Sequence, residues 1–444
     1  MRLLLVGVFA AGFAVAGTPT YYKDVVPVLQ AHCQECHRPG EVAPMSLMSY
    51  KDSRPWAKAI RQAVLLKKMP PWSADPHYGK FSNDRSLKQS EIDTLTAWAD
   101  AGAPEGNPSD APAPVQFADG WKIGKPDLVL DMGTDFKVAA RGTIPYLSFL
   151  VHTGFTEDKW VKEVEVRPGN NAVVHHITLY ARPKGSDFLV PVDAKPGEPY
   201  LGQSEPPQVN RPPQNDVGQM NGLFVSPGVG PAEEIGLYLP GGTPYETGPG
   251  QARLIPAGSD IVFQMHYTTT GKEEFDRSKV GIIFAKEPPK ERVVNAMIVN
   301  RSLRIPAGDP NHRLDATVTL QEEAVLQTIT PHAHVRAKAF EFDVTYPTGE
   351  KQVLLNVPKY DFNWQIGYEL AKPVKLPKGT LIHMTAFYDN SLNNPANPDP
   401  TKEVFWGEQT WEEMATGFLD LAIPAGMDPM KLVPPRRVAT QAAR

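Results

Sequence analysis

Val173-Val174-His175-His176-Ile177-Thr178-Leu179-Tyr180 sets β-branched and aromatic residues in partial period-two alternation, which reads as a strand. Working outward, Ile261–Thr268, Val325–Val335, Phe340–Tyr346 and Leu381–Tyr388 share that composition. Turn signals interrupt them at Pro168-Gly169-Asn170, Pro240-Gly241-Gly242 and Pro347-Thr348-Gly349, and many of the 45 prolines lie between short apolar runs. The pattern predicts two antiparallel β-sandwiches divided around Glu287 to Glu291, over residues 134–288 and 289–428. Residues 107–133, with the Pro, Ala and Asp run from Asn107 to Pro114, read as a linker and leading strand, and 429–444 as a tail. Pro196 to Gly250 is rich in Pro and Gly and poor in strand signal, so it reads as a long loop able to shape or cover a cleft. Its aromatics Phe224, Tyr238 and Tyr245 fit substrate contact and turn packing equally well.

Residues 18–106 read differently. A helix is expected over Tyr22–His32, and another from an N-cap at Ser90 with Asp93 three residues on, carrying Ile92, Leu95 and Trp98 and ending at Gly102. The only two cysteines of the 444 residues stand between them in Cys33-Gln34-Glu35-Cys36-His37, the C-x-x-C-H pattern of c-type haem attachment. The two thiols can form thioethers to one haem, and His37 can bind its iron. Half a zinc site would need a second pair of soft ligands, and no further cysteine exists. Met69, stiffened by Pro70 and Pro71, is the expected sixth ligand, with Met45, Met48 and His77 as rivals. Helix, haem motif, loops and helix resemble a class I cytochrome c. The expected fold class is thus a small all-α cytochrome c domain followed by two all-β antiparallel, jelly-roll-like sandwiches.

Haem is joined to such motifs outside the cytoplasm. Residues 1–16 offer a matching signal peptide: Arg2, an apolar run from Leu3 to Val15, and small residues at Ala14-Val15-Ala16. That run is short of the ~20 residues of a membrane span, so a periplasmic or secreted chain with no stable span is expected. Net charge of -5 gives no reason to expect nucleic acid or an anionic membrane as partner.

Five of the eleven histidines fall in three strand-like segments: His175-His176, His266 in Gln264-Met265-His266-Tyr267, and His332-Ala333-His334. On a strand His332 and His334 share a face, a common way to offer two ligands to one metal. His175 and His176 point to opposite faces of a regular strand and can share a metal only where the strand ends, twists or bulges. A lone strand histidine such as His266 is more often a hydrogen-bonded or surface residue than a ligand.

Taken with Glu412-Glu413-Met414, these segments resemble, in order and spacing over most of residues 135–425, the copper type II, ascorbate-dependent monooxygenases. Peptidylglycine α-hydroxylating monooxygenase and dopamine β-monooxygenase are the named members. The resemblance implies two coppers facing an open cleft. His175, His176 and His266 would form the site that stores and passes an electron, and His332, His334 and Met414 the site where dioxygen binds. Met384 is a competing thioether whose mid-strand position favours the core. Gln264 matches a family glutamine that would line the cleft, while strand alternation reads it equally well as an ordinary polar residue. The amidating enzyme's substrate-seating arginine and tyrosine correspond here to Thr330 and Phe418, which argues against peptide amidation. Tyr388 and Trp411, which flank the methionine, are expected to pack in the core.

The function so implied is a copper monooxygenase that hydroxylates a C–H bond of a small organic substrate with O2. Its electrons would come from a periplasmic donor, an ascorbate-like reductant or a redox protein, through the attached haem. The alternatives are a non-oxygenating redox or copper-binding electron-transfer protein, and a sandwich with relic histidines.

Overall fold

A computed structural model describes residues 17–118, 120–201, 233–407 and 409–433, with the strand path alone at Gly222–Val225. The leader expected at 1–16 and the tail beyond 433 lie outside the described residues. The chain divides into two units, residues 1–71 with 85–116 and residues 72–84 with 117–444.

In the first unit a π-turn at Tyr21–Val25 runs into the helix Val26–His32, followed by Tyr50–Ser53, Ala57–Leu65 and Gln89–Asp100. Tyr21, Val25, Leu29, Leu95 and Trp98 are buried together, and the Trp98 indole N–H donates to the Pro104 carbonyl at 3.1 Å. The last helix starts one residue before the expected cap. Its free N-terminus is closed by Glu91, whose carboxylate accepts the Lys88 backbone N–H at 2.7 Å.

The expected fold class needs correction. The described residues are mostly strand, and no all-α cytochrome c domain is evident. The helices have 7, 4, 9 and 12 residues. Gly40, Pro44, Pro70 and Pro71 punctuate the segments between them, where continued helix would lose backbone hydrogen bonds. Trp72 and Phe81 belong to the second unit and pack edge-on against Tyr368 there, at 4.9 and 5.5 Å between ring centroids.

The second unit is consistent with the sheet-rich sandwich expected. One sheet runs through Leu128–Asp131, Lys279–Phe284, Lys159–Arg167, Gln251–Ile255, Glu291–Val299, Thr416–Pro424, Ala324–His332 and Tyr368–Leu376. Its first half packs on a sheet ordered Pro199–Leu201, Leu147–His152, Asp260–Tyr267, Val174–Arg182 and Glu233–Tyr238, around Phe149, Ile177, Phe263 and Ile282. Its second half packs on His312–Thr319, Leu381–Tyr388, Ala337–Thr345 and Lys351–Val357, around Ile298, Phe340, Met384 and Leu421. Each fully buried large apolar side chain contributes about 1.5–3 kcal/mol. The division expected near Glu287 to Glu291 is bridged rather than open. A short parallel pairing, Gln251 with Glu291 and Ala252 with Arg292, makes the two halves one sheet.

Charged residues are buried beside that junction. Arg253 pairs with Asp420 at 2.7 Å and lies over the Tyr245 ring, and Arg292 pairs with Glu233 at 3.2 Å. Glu234 accepts the Tyr245 hydroxyl at 2.9 Å, and burial pushes its carboxyl up to about 7. The folded chain therefore keeps a proton that the unfolded chain releases above about 4.5. This contribution to stability is fully present below that value and is lost as pH rises through 7. Glu234→Gln should remove its own share of the dependence, reducing the fall in unfolding free energy measured in urea between pH 5 and pH 8 by about 3 kcal/mol relative to the parent, while Glu233, which burial also pushes up to about 7, keeps its share.

Candidate metal centres

The C-x-x-C-H segment continues the first helix as a helical turn. Cys33 N–H donates to the Leu29 carbonyl at 2.9 Å, and His37 N–H to the Cys33 carbonyl at 2.9 Å. No disulfide joins Cys33 and Cys36, and burial pushes the Cys33 thiol up to about 12. The His37 ring sends its Nδ1–H to the Met45 carbonyl at 3.1 Å. A carbonyl only accepts, so the proton sits on Nδ1 and Nε2 keeps its lone pair for a metal. Burial also lowers the His37 pKa, which favours that neutral ring. The donor set of this turn, two cysteine thiols and a neutral imidazole, fits a covalent haem that Cys33, Cys36 and His37 would hold. Met69 is half-buried, Met48 exposed, and His77 exposed with its Nδ1 2.6 Å from Asp75.

In the second unit the strands Val174–Arg182 and Asp260–Tyr267 are antiparallel neighbours, with His176 opposite His266. Their register then slips. Tyr267 pairs with Val174, so His175 is the extra residue of a bulge. That bulge turns the His175 ring to the side of its neighbour. His175 Nδ1 lies 3.2 Å from His176 Nδ1, His266 Nδ1 lies 3.4 Å from His176 Nδ1, and donor atoms of all three lie within 4.8 Å of one another. Tyr146, which the sequence did not single out, stacks on His266 at 4.5 Å. Gln264 is half-buried two residues before His266 on the same face.

Burial lowers the pKa of all three rings, His266 to about 3 and His176 well below its usual value, where neighbouring imidazoles add to the effect. Three neutral imidazoles with their ring nitrogens this close form a donor set that suits copper or zinc.

The second group departs from the strand expected over Val325–Val335. The strand stops at His332, and His334 lies beyond it. Three buried residues hold the turn. The Tyr360 hydroxyl accepts the Ala333 N–H at 3.1 Å and donates to the Ala333 carbonyl at 2.8 Å. The Glu413 carboxylate, with no exposed surface, accepts the N–H groups of His334 at 2.8 Å, Arg336 at 2.6 Å and Met414 at 3.3 Å. The Gln365 side-chain carbonyl accepts His332 Nδ1–H, and the Glu412 backbone carbonyl accepts His334 Nδ1–H at 3.1 Å. Both rings therefore keep Nε2 free, with ring centroids 5.6 Å apart and planes at 89°. Burial lowers both pKa values, that of His334 to about 3.

Met414 is half-buried, and its carbonyl accepts the Tyr388 hydroxyl at 2.6 Å. Met384 is fully buried in the core. Trp411, expected in the core, is 45% exposed instead, because its segment is held by its backbone: its carbonyl accepts Arg336 Nη1–H at 2.9 Å. Thr330 and Phe418 are paired across neighbouring strands, and the Phe418 ring lies 5.8 Å from that of His332. Tyr238 and Tyr245 bond to Asn171 and Glu234, and the side chain of Phe224 lies outside the described residues.

No family model matches the chain, and no curated protein matches it. Among solved structures, the major capsid protein P2 of bacteriophage PM2 is similar over 70% of this chain and 98% of its own, at 8% identity and a TM-score of 0.27. The Gx strain structure of infectious bursal disease virus is similar over 69% and 73%, at 9% identity and a TM-score of 0.18. Likeness at these scores carries no argument about this chain. No helix among the described residues is long and apolar enough to cross a membrane.

Proposed function

We propose that the chain is a periplasmic or secreted copper-dependent monooxygenase that hydroxylates a C–H bond of a small organic substrate with O2. The observation that carries this reading is the convergence of His175, His176 and His266, whose donor atoms lie within 4.8 Å of one another at a strand bulge. His332, His334 and Met414 would hold the second copper, and Cys33, Cys36 and His37 a covalent haem c. When bound, the coppers would supply activation of O2 and the haem a path for electrons from an outside donor.

The chain's own residues do the rest. Burial keeps the five imidazoles neutral, so no proton competes with a metal in the physiological range. Gln365 and the Glu412 carbonyl fix the tautomers and ring orientations of His332 and His334. Glu413 ties the backbone of Met414 to that of His334 and Arg336 in the histidine turn. Thr330 and Phe418 put no charge beside His332, which favours an uncharged substrate.

Met414→Ile tests the reading. Oxygen consumption with a reductant should be lost, while copper at the three-histidine site is retained by metal analysis and spin resonance. Oxygen consumption equal to that of the parent would leave a non-oxygenating redox protein as the better reading.

A further inference from the structure

Phe362 stands between the two histidine groups. Its ring stacks on His175 at 5.7 Å with 24° between planes, and lies 6.4 Å from His266. It also meets His334, of the second group, nearly perpendicularly at 6.3 Å. One benzyl group therefore contacts ligands of both proposed centres, where a water-filled gap would be the default between two polar sites.

The segment that carries it is fixed by the second group. Two residues before Phe362, the Tyr360 hydroxyl clamps both backbone groups of Ala333. Three residues after it, Gln365 accepts from His332 through its side-chain carbonyl and donates to the Phe362 carbonyl at 3.2 Å. The ring's position is thus set by the bonds that set His332 and Ala333. It is not a loose side chain fallen into a gap.

Resting on the two-copper reading above, we propose that Phe362 is a spacer that keeps the metals as two separate mononuclear centres and prevents their collapse into a coupled pair. An aromatic ring has no lone pair to bridge metals, excludes the water that could, and fills the space through which the groups would approach. The Phe362 ring centroid lies 5.7 Å from that of His175 and 6.3 Å from that of His334, so a single side chain spans the approach to be blocked.

The test uses the full-length protein loaded with Cu(II) and read by electron paramagnetic resonance beside metal analysis. In the parent, the integrated signal should account for all the bound copper. In Phe362→Ala, copper content should be unchanged while the integrated signal falls below it and a half-field transition appears. Phe362→Val, which opens less room, should change in the same direction by less, and carries the test if the alanine variant does not fold. Full signal intensity in the variants at unchanged copper content overturns the spacer role alone. A parent that binds one copper or none overturns the two-copper reading and the spacer role with it.

Discussion

Glu413→Ala is expected to cost about 3–5 kcal/mol of unfolding free energy, a large share of the ~5–15 kcal/mol that holds a typical chain together. The carboxylate has no exposed surface and accepts three backbone N–H groups, from His334, Arg336 and Met414. No ladder partner replaces it, because the strand ends at His332. Truncation leaves three buried donors with neither protein nor water to accept them, and an unmade buried hydrogen bond costs more than a made one contributes. Glu413→Gln keeps the shape but points an amide N–H2 at a backbone donor, and should cost about 1–3 kcal/mol. Urea denaturation of the metal-free protein measures both, so the result does not depend on copper. An alanine variant as stable as the parent would show that the turn is held by Tyr360 alone.

The second large effect is on metal content. His176→Ala is expected to abolish copper binding at the three-histidine site while leaving the second centre loaded. His176 is the middle ring, with its Nδ1 3.2 Å from that of His175 and 3.4 Å from that of His266. Losing an outer hydrogen-bond partner of a metal ligand already costs about 10–100-fold in affinity, so losing a ligand should exceed that. Because metal binds only the folded state, the variant should also lose part of the rise in melting temperature that copper gives the parent. Equilibrium dialysis and thermal melts with and without copper read the two effects. Unchanged copper content would mean that the three imidazoles are a packed core group and not a site.

Residues whose role is local could be read in the sequence. Strand Leu381–Tyr388 appears as expected, since alternation over eight residues is a strong signal. The condition for His175 and His176 to share a metal, a bulge, could be stated beforehand. Its presence could not, because the register slip depends on a partner strand 90 residues away. Strand Glu233–Tyr238 lay hidden in an expected loop, since two adjacent glutamates argue against burial. Arg292 and Tyr245, which make that burial tolerable, are distant or look like turn aromatics. Tyr360, Phe362 and Gln365 carry no motif, and Glu413 stands out in the sequence only as the neighbour of Met414. Their roles arise only when the segment after Val357 and the one before Thr416 fold onto the turn at Ala333.

The parallel pairing at Gln251 and Ala252 has a mechanical consequence. Two sandwiches joined by a bare linker could swing apart as rigid plates. Here they share one hydrogen-bonded surface, riveted beside the seam by Arg253 to Asp420 and Arg292 to Glu233. Swinging would tear that surface and expose paired charges, so the lever arm a hinge would need is missing. Any change in the gap between the histidine groups must then arise within each half and not from a swing between them. The seam makes the two sandwiches a single plank and not a pair of jaws.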